Sequence, residues 1–399
     1  MAATGVAMLC VCAAGARAQS PAAARLPVVA GDQVFALLVQ PSGAVRVWGR
    51  SDGSSRRSLG DGRDPSEAPA SISEPQPLAG IHNAIGAAVG ATQALILRAD
   101  GTVVGWGRND RCEVGNGGTP DPAHQELEPV FAPVPVDGLR GVAQLAASDG
   151  ISGAVRADGS VWMWGRGDGG LLANGVFEPL GAQPPPPCAP RPRKVEGLSG
   201  ITQLAIGVSH VLALRNDGTV WAWGTNEDGQ LGDGTRENRG RPVQVTGITS
   251  AVSIAAGQAV SAAVMADGTV RTWGSDVNGR LGGASSEESG VRVRPGVVPG
   301  ITGATAVLAF TGGFTARGRD GTLRSWGEAY FDAFGNAGGQ RLSSPTGLGP
   351  VVAHFAAGYR LFAIRTDGTV MAWGQLNMMT PGGLVKSART PVVAVKPGP

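Results

Sequence analysis

The sequence predicts an all-β protein, a seven-bladed β-propeller with about four antiparallel strands per blade, and three observations carry that expectation. The dipeptide Trp-Gly occurs seven times, at Trp48, Trp106, Trp164, Trp223, Trp273, Trp326 and Trp373, at spacings of 58, 58, 59, 50, 53 and 47 residues. Self-similarity at such a period marks solenoids and propellers. Each of these tryptophans stands five residues past the glycine of a turn, Ser42-Gly43 in the first copy and Asp-Gly in the other six. Short β-prone runs recur on both sides of each turn, and no segment carries a helical period.

The fourth copy shows the elements most plainly. Residues 201–207 and 210–214 read as two strands, Asn216-Asp217-Gly218 as a turn, 219–223 as a third strand and 241–245 as a fourth. Glycine at the turn supplies the positive φ that a tight hairpin needs. In the strand after the turn, the third residue before each tryptophan is Val45, Val103, Val161, Val220, Val270, Leu323 or Val370, apolar every time. The residue directly before it is mostly small, so both faces of the sheet suit close stacking against neighbouring sheets. Eight positions past the tryptophan an apolar residue recurs, Val114, Leu172, Leu231, Leu281 or Phe334, which reads as a loop plug tucked under the sheet. The loop then meets a proline-led strand, as at Pro77-Leu78, Pro135-Val136, Pro242-Val243 and Pro391-Val392, where the missing donor can face outward. Sheets with two buried faces need a neighbour on each side, which a closed ring provides. The chain starts near Val28 with hairpin-type strands and ends on residues 391–395, a strand of the proline-led kind; the two termini are expected to complete one blade together.

Gly (64) and Pro (28) are abundant, yet 42% apolar residues suffice for a core. A net charge of +2 with no run of Lys or Arg gives no electrostatic support to a nucleic-acid or anionic-membrane partner, and none is expected. Residues 1–20 read as a signal peptide: residues 5–15 are apolar and small, and Ala16-Arg17-Ala18 fits a cleavage site before Gln19, although no Lys or Arg precedes the apolar stretch. The expectation is an exported protein, periplasmic, cell-surface or extracellular, with residues 26–399 as a single propeller domain. No other stretch reaches the ~20 apolar residues of a membrane span. Cys10 and Cys12 would leave with the signal peptide. Cys112 and Cys188 remain, in loops of adjacent repeats, either as two free thiols or, in an exported protein, as a bridge.

Catalytic chemistry is not written in this chain. His210 reads as a structural hydrogen bond between blades, while His82, His124 and His354 are scattered without partners at ligand or triad spacing. The recurring Asp100, Asp158, Asp217, Asp267, Asp320 and Asp367 are turn residues whose carboxylates bond nearby amides. Residues 226–234 lack the residue order of a calcium loop, and no phosphate loop or nucleophile elbow occurs. The expected metal, cofactor and catalytic sets are therefore none.

The unit from Gly207 and His210 through Asp217-Gly218, Trp223-Gly224 and Asn226 to Gly229-Gln230-Leu231-Gly232 resembles the repeat of the regulator of chromosome condensation family, from about Val28 to Val395. The resemblance implies a seven-bladed propeller that works by binding other macromolecules. Its eukaryotic founding members act as exchange factors on a small GTPase and sit on chromatin; a secreted bacterial branch is nearer in setting. The Gly-Gln-Leu-Gly element is complete only at 229–232 and the pattern's histidine survives only as His210, so no site of seven repeated histidines exists here.

Binding is expected at the loops between Trp-Gly and the proline-led strand, which vary while the strands repeat. Interfaces favour arginine and aromatic anchors. Arg50, Arg56 and Arg57 in the first loop and Tyr330 and Phe331 in the sixth are the candidates, with Phe131, Phe177 and Tyr359 as further exposed aromatics. Trp162 and Trp221 are expected to pack between blades. The function read from the sequence is a monomeric, non-enzymatic scaffold for another protein or a surface glycan. The alternatives are an intracellular exchange factor or chromatin adaptor, and a propeller lyase or hydrolase.

Overall fold

The Asp-Gly pairs of blades 2 to 6 each close a hairpin and also join two blades. In the fourth copy the Arg215 amide donates to the Thr219 carbonyl (2.9 Å), Gly218 takes a φ of 80°, and the Asp217 carboxylate accepts from the Thr219 amide at 3.0 Å and its hydroxyl at 2.7 Å. Only the glycine is left-handed; the aspartate holds the bend with its side chain. Asp100, Asp158, Asp267 and Asp320 repeat the arrangement on Thr102, Ser160, Thr269 and Thr322. The turn glycine's carbonyl then accepts an amide from the start of the next blade. Ala84, Val142, Ile201, Ala251, Ala304 and Val351 bond in this way to Gly43, Gly101, Gly159, Gly218, Gly268 and Gly321, all at 2.9–3.0 Å.

The computed structural model describes residues 27–31, 35–49, 59–64, 72–118, 127–182, 187–283, 290–310, 312–327, 342, 344–345, 347–357, 360–374, 378–380, 383–385 and 388–395. These form seven antiparallel sheets in ring order, a seven-bladed β-propeller. Blade 4 is typical, with Ile201–Ile206 innermost, then His210–Arg215, Val220–Gly224 and, outermost, Arg239–Gln244. Three strands of blade 6 are described, Ala304–Phe310, Gly313–Gly318 and Leu323–Gly327. Innermost strands of successive blades touch one another, and Val28–Gly31 of blade 1 touches Val351–Ala357 of blade 7, so the ring is closed.

The termini do not share a blade, contrary to the expectation from the sequence. The C-terminal strand Ala388–Val395 pairs with Val370–Gly374 inside blade 7. Val28–Gly31 is itself the innermost strand of blade 1, paired with Phe35–Val39, and Ile72–Pro77 already fills that blade's outer edge. No strand position is left in blade 1 for the C-terminus. Side-chain packing closes the seam instead: Trp48 meets Phe362 edge-on with ring centroids 6.3 Å apart, in a core that joins residues of blades 1, 2 and 7. The ribbon Met378–Thr380 and Gly383–Val385 adds a contact from blade 7 to the outer strand of blade 1.

All seven repeat tryptophans are buried between blades. Trp164, Trp223 and Trp273 donate their indole N–H to the carbonyls of Glu113, Leu171 and Gln230, each in the loop of the preceding blade, at 2.9–3.0 Å. One residue thus supplies apolar area and a directional bond across the same interface. Trp162 and Trp221 are half-buried against the core, each with an arginine of its own blade over the ring, Arg156 at 4.2 Å and Arg215 at 5.7 Å from the centroids.

Candidate functional site

The two faces of the ring differ in kind. One carries the Asp-Gly turns, which close on themselves and on the next blade. The other carries the short turns between first and second strands and the loops that follow Trp-Gly. Those loops start alike, because the glycine of every Trp-Gly has a φ between 97° and 128°. At Gly224 a β-carbon would lie 2.6 Å from the Ser209 carbonyl oxygen. With glycine there, Thr225 bonds that carbonyl at 2.8 Å, as Arg108, Arg166 and Ser275 bond Thr92, Gly150 and Ala259.

The apolar plugs are seated as predicted: Val114, Leu172, Leu231 and Leu281 are buried. Phe334 lies outside the described residues. Plug amides are held by a polar side chain three residues past the tryptophan, Asn109 for Val114 (3.1 Å), Asn226 for Leu231 (2.9 Å) and Asp276 for Leu281 (2.9 Å). Blade 1 has its own plug, Leu59, only 1% exposed, with Gly60 against Trp106. It escapes the sequence pattern because it stands eleven rather than eight residues past Trp48.

The residue after the plug is left-handed in every described case. Gly60, Gly115, Gly232 and Gly282 meet this at φ of 67–83°, whereas blade 3 places Ala173 there at 54°. A β-carbon in this region costs about 1–2 kcal/mol, partly offset by the extra freedom glycine brings to the unfolded chain. Ala173→Gly is therefore expected to stabilise the fold by about 0.5–1 kcal/mol. An unchanged or lowered urea midpoint would contradict this.

Buried titratable groups on this face all serve the architecture. His210 bonds Ser261 of blade 5 at 2.8 Å, and that hydroxyl donates to the Gln230 carbonyl at 2.7 Å, so the imidazole donates from Nε2. Burial pushes His210 down to about 3, leaving it neutral. Gln93 does the same work between blades 2 and 3, reaching Ser148 O, Ile151 O and Ser152 Oγ at 2.9–3.2 Å. His354 packs against the Thr315 carbonyl (3.3 Å) and is pushed down to about 4, by burial first. His82 is exposed and His124 lies outside the described residues.

Glu113 is fully buried beneath this face. Burial first, and the nearby Asp110 carboxylate second, push it up to about 8. It hydrogen-bonds Thr92 Oγ1 at 3.1 Å and accepts the Arg111 amide at 2.8 Å. Gln230 stands at the same position two blades on, accepting the Asp228 amide at 2.9 Å. A protonated glutamic acid has the shape and bonding of that glutamine.

Directly before Glu113, Cys112 is bonded to Cys188 with Cα atoms 5.8 Å apart. The structure therefore selects the bridge over the two free thiols. Cys112 takes the place that Gly229 holds in blade 4 and shares its left-handed backbone, at a φ of 63°. Cys188 precedes the outer strand Ala189–Lys194 of blade 3, so the disulfide ties a blade 2 loop to the next blade.

Among the candidate contact residues, Arg50, Arg56, Arg57, Tyr330 and Phe331 lie outside the described residues, as does Tyr359. Phe131 is on a strand, Val130–Pro135, rather than in a loop. A further contact element emerges in blade 3, where the buried Asp168 carboxylate accepts the Gly181 amide (3.2 Å) and the Gly169 amide donates to Glu178 (2.6 Å). Arg166 pairs with Asp168 at 3.5 Å and donates to Val208 of blade 4 at 2.6 Å. The loop so fixed leaves Val176 48% and Leu180 41% exposed. Its signal in the sequence, an apolar pair around Pro179, is too common in loops to single out.

A family model for the RCC1-like domain matches residues 15–317. The chain belongs to the RCC1-like domain family. Human E3 ubiquitin-protein ligase HERC2 is 34% identical over 150 residues, 37% of this chain and 3% of that protein. The mitochondrial RCC1 domain-containing protein RUG3 of Arabidopsis thaliana is 27% identical over 213 residues, 52% of this chain and 44% of that protein. The chain thus spans less than half the length of these curated relatives. Human WBSCR16 shares the fold with a TM-score of 0.74 at 21% identity, over 89% of this chain and 95% of that one. Prp20p of Saccharomyces cerevisiae does so with 0.68 at 21%, over 94% and 87%. Among the described residues of this RCC1-like propeller, no helix is long and apolar enough to cross a membrane.

Proposed function

We propose that this RCC1-like propeller is a non-enzymatic protein-binding scaffold that works outside the cytoplasm. The observation that carries the binding reading is the division of labour on the loop face. Loop roots are fixed by repeated bonds to the first turn of their own blade and loop glycines by bonds to the next blade's outer strand, while loop lengths and sequences differ from blade to blade, as a scaffold presenting distinct contacts requires. The buried histidines bond across blades and the Glu113 carboxyl is bonded within its own blade, which supports a role without catalysis. The Cys112–Cys188 bridge supports export, because such bonds persist in oxidising compartments. The contact anchors of this reading are Arg50, Arg56 and Arg57 of the first loop, Tyr330 and Phe331 of the sixth, and the Val176–Leu180 apolar pair.

The test is to express the full chain, fractionate the cells, sequence the mature N-terminus and cross-link the protein to envelope proteins. A start at Gln19 outside the cytoplasm, with a discrete cross-linked adduct that Arg50, Arg56 and Arg57→Ala together abolish, is the expected result. Intact Met1 in the cytoplasm would overturn the export reading and turn the search to small GTPases.

A further inference from the structure

Three successive outer strands share a feature that the loop face does not use. In Ala189–Lys194, Arg239–Gln244 and Val291–Val297 the same ladder position carries Arg-Pro, at Arg191-Pro192, Arg241-Pro242 and Arg294-Pro295. Blades 1 and 2 hold Glu74-Pro75 and Ala132-Pro133 there. Each of the three guanidiniums is laid along a glycine of the preceding blade's loop. A β-carbon on Gly117, Gly175 or Gly234 would lie 2.9, 2.7 and 2.9 Å from Arg191 Nε, Arg241 Nη2 and Arg294 Nη2. The same glycines donate to the strand backbone at Pro190, Gly240 and Val293, at 2.9–3.0 Å.

Covering those glycines does not require arginine. Gly62 of the blade 1 loop makes the equivalent bond to Phe131 of blade 2 (3.0 Å) with only Ala132 beside it. Guarding the sheet edge does not require it either, since proline already removes the exposed donor. What arginine adds is charge, pre-set in position. Arg191, Arg241 and Arg294 are exposed, Arg193 and Lys194 flank them on the first strand, and the three strands hold no Asp or Glu. Arg193, Arg241 and Arg294 make no side-chain ion pair with another described residue, and the Asp137 partner of Arg191 is itself 45% exposed and free to exchange. In a chain of net charge +2, this is a local excess.

We infer that the outer rim of blades 3 to 5 docks an extended acidic segment of a protein partner, its carboxylates read in turn by the row of guanidiniums. The planar fork of arginine suits carboxylates, and a head already seated loses little freedom on binding. No aromatic side chain stands on these strands to stack a base, which favours a peptide over a nucleic acid. This inference rests on the protein-binding reading above but uses a different surface.

The experiment measures anisotropy of a labelled peptide of alternating Glu and Ser against the full-length protein at low salt. Polygalacturonate and oligo-dT serve as competitors. The expected result is peptide binding that weakens about tenfold in Arg193, Arg241 and Arg294→Gln and not in Arg98, Arg140 and Arg319→Gln. Equal binding by the rim variant overturns the inference, as does competition by polygalacturonate or oligo-dT at the peptide's own concentration. A protein that ignores the peptide yet keeps its loop-dependent cross-linked adduct sinks the rim proposal alone and leaves the scaffold reading standing.

Discussion

Reduction of the Cys112–Cys188 bridge is expected to lower stability by about 4.5 kcal/mol, the chain-entropy value for a loop closed across 76 residues. The bond spans an interface between two blades, so its loss also frees the blade 2 loop whose Glu113 carbonyl receives the Trp164 indole. Two variants separate the causes. Cys188→Ala removes only the cross-link, whereas Cys112→Gly with Cys188→Ala also relieves the left-handed cysteine, recovering about 1 kcal/mol. Urea unfolding with and without reductant provides the measurement. Midpoints that do not move on reduction would mean that the bridge contributes nothing to the fold.

Stability should peak near pH 6.5 and fall by about 1 kcal/mol between pH 6.5 and 8, and Glu113→Gln should abolish that fall. Glu113 holds its proton to about pH 8 in the fold, against 4.5 when exposed. Between those values the folded chain binds more protons than the unfolded chain, so rising pH favours unfolding. His210 and His354 act in the opposite sense. Held at about 3 and 4 instead of 6.5, they contribute stability that is present above pH 6.5 and lost as pH falls. Above 6.5 the histidines of the unfolded chain lose the rest of their protons within about one pH unit, which offsets about half of the glutamate's loss. Glutamine fits the same bonds, as Gln230 shows. A variant with the same decline from pH 6.5 to 8 would show that Glu113 is not the source.

What was legible in the sequence is what depends on local backbone geometry. Asp217-Gly218 and Trp223-Gly224 announce themselves because only glycine meets the positive φ and the close approach each place demands, so those dipeptides recur and their period counts the blades. The second use of each turn, as a staple to the next blade, leaves no separate mark, since a backbone carbonyl has no residue type. The cysteine pair could not be decided because the bond depends on two loops 76 residues apart meeting at one interface. Nothing in the sequence around Glu113 marks its burial, which the fold imposes on the blade 2 loop. The terminal strand was misplaced because the innermost strand of blade 1, Val28–Gly31, is short and was taken for part of a hairpin. The arginine rim was invisible in the strands that carry it, because equivalence of Arg191, Arg241 and Arg294 appears only when blades with loops of unequal length are superposed by their ladders.

Every blade is drawn from one continuous run of chain, and this sets an order of events during synthesis. The ribosome delivers each sheet complete, able to dock on the one before it as soon as its outer strand has emerged. Blade 1 is the exception, for one of its flanks waits for blade 7. Leu37, Leu38 and Trp48 belong to the same core as Phe355, Phe362 and Ile364, which are translated more than three hundred residues later. Until then the growing ring is an arc with two sticky ends, and the nascent protein is most vulnerable to joining the wrong neighbour just before blade 7 emerges.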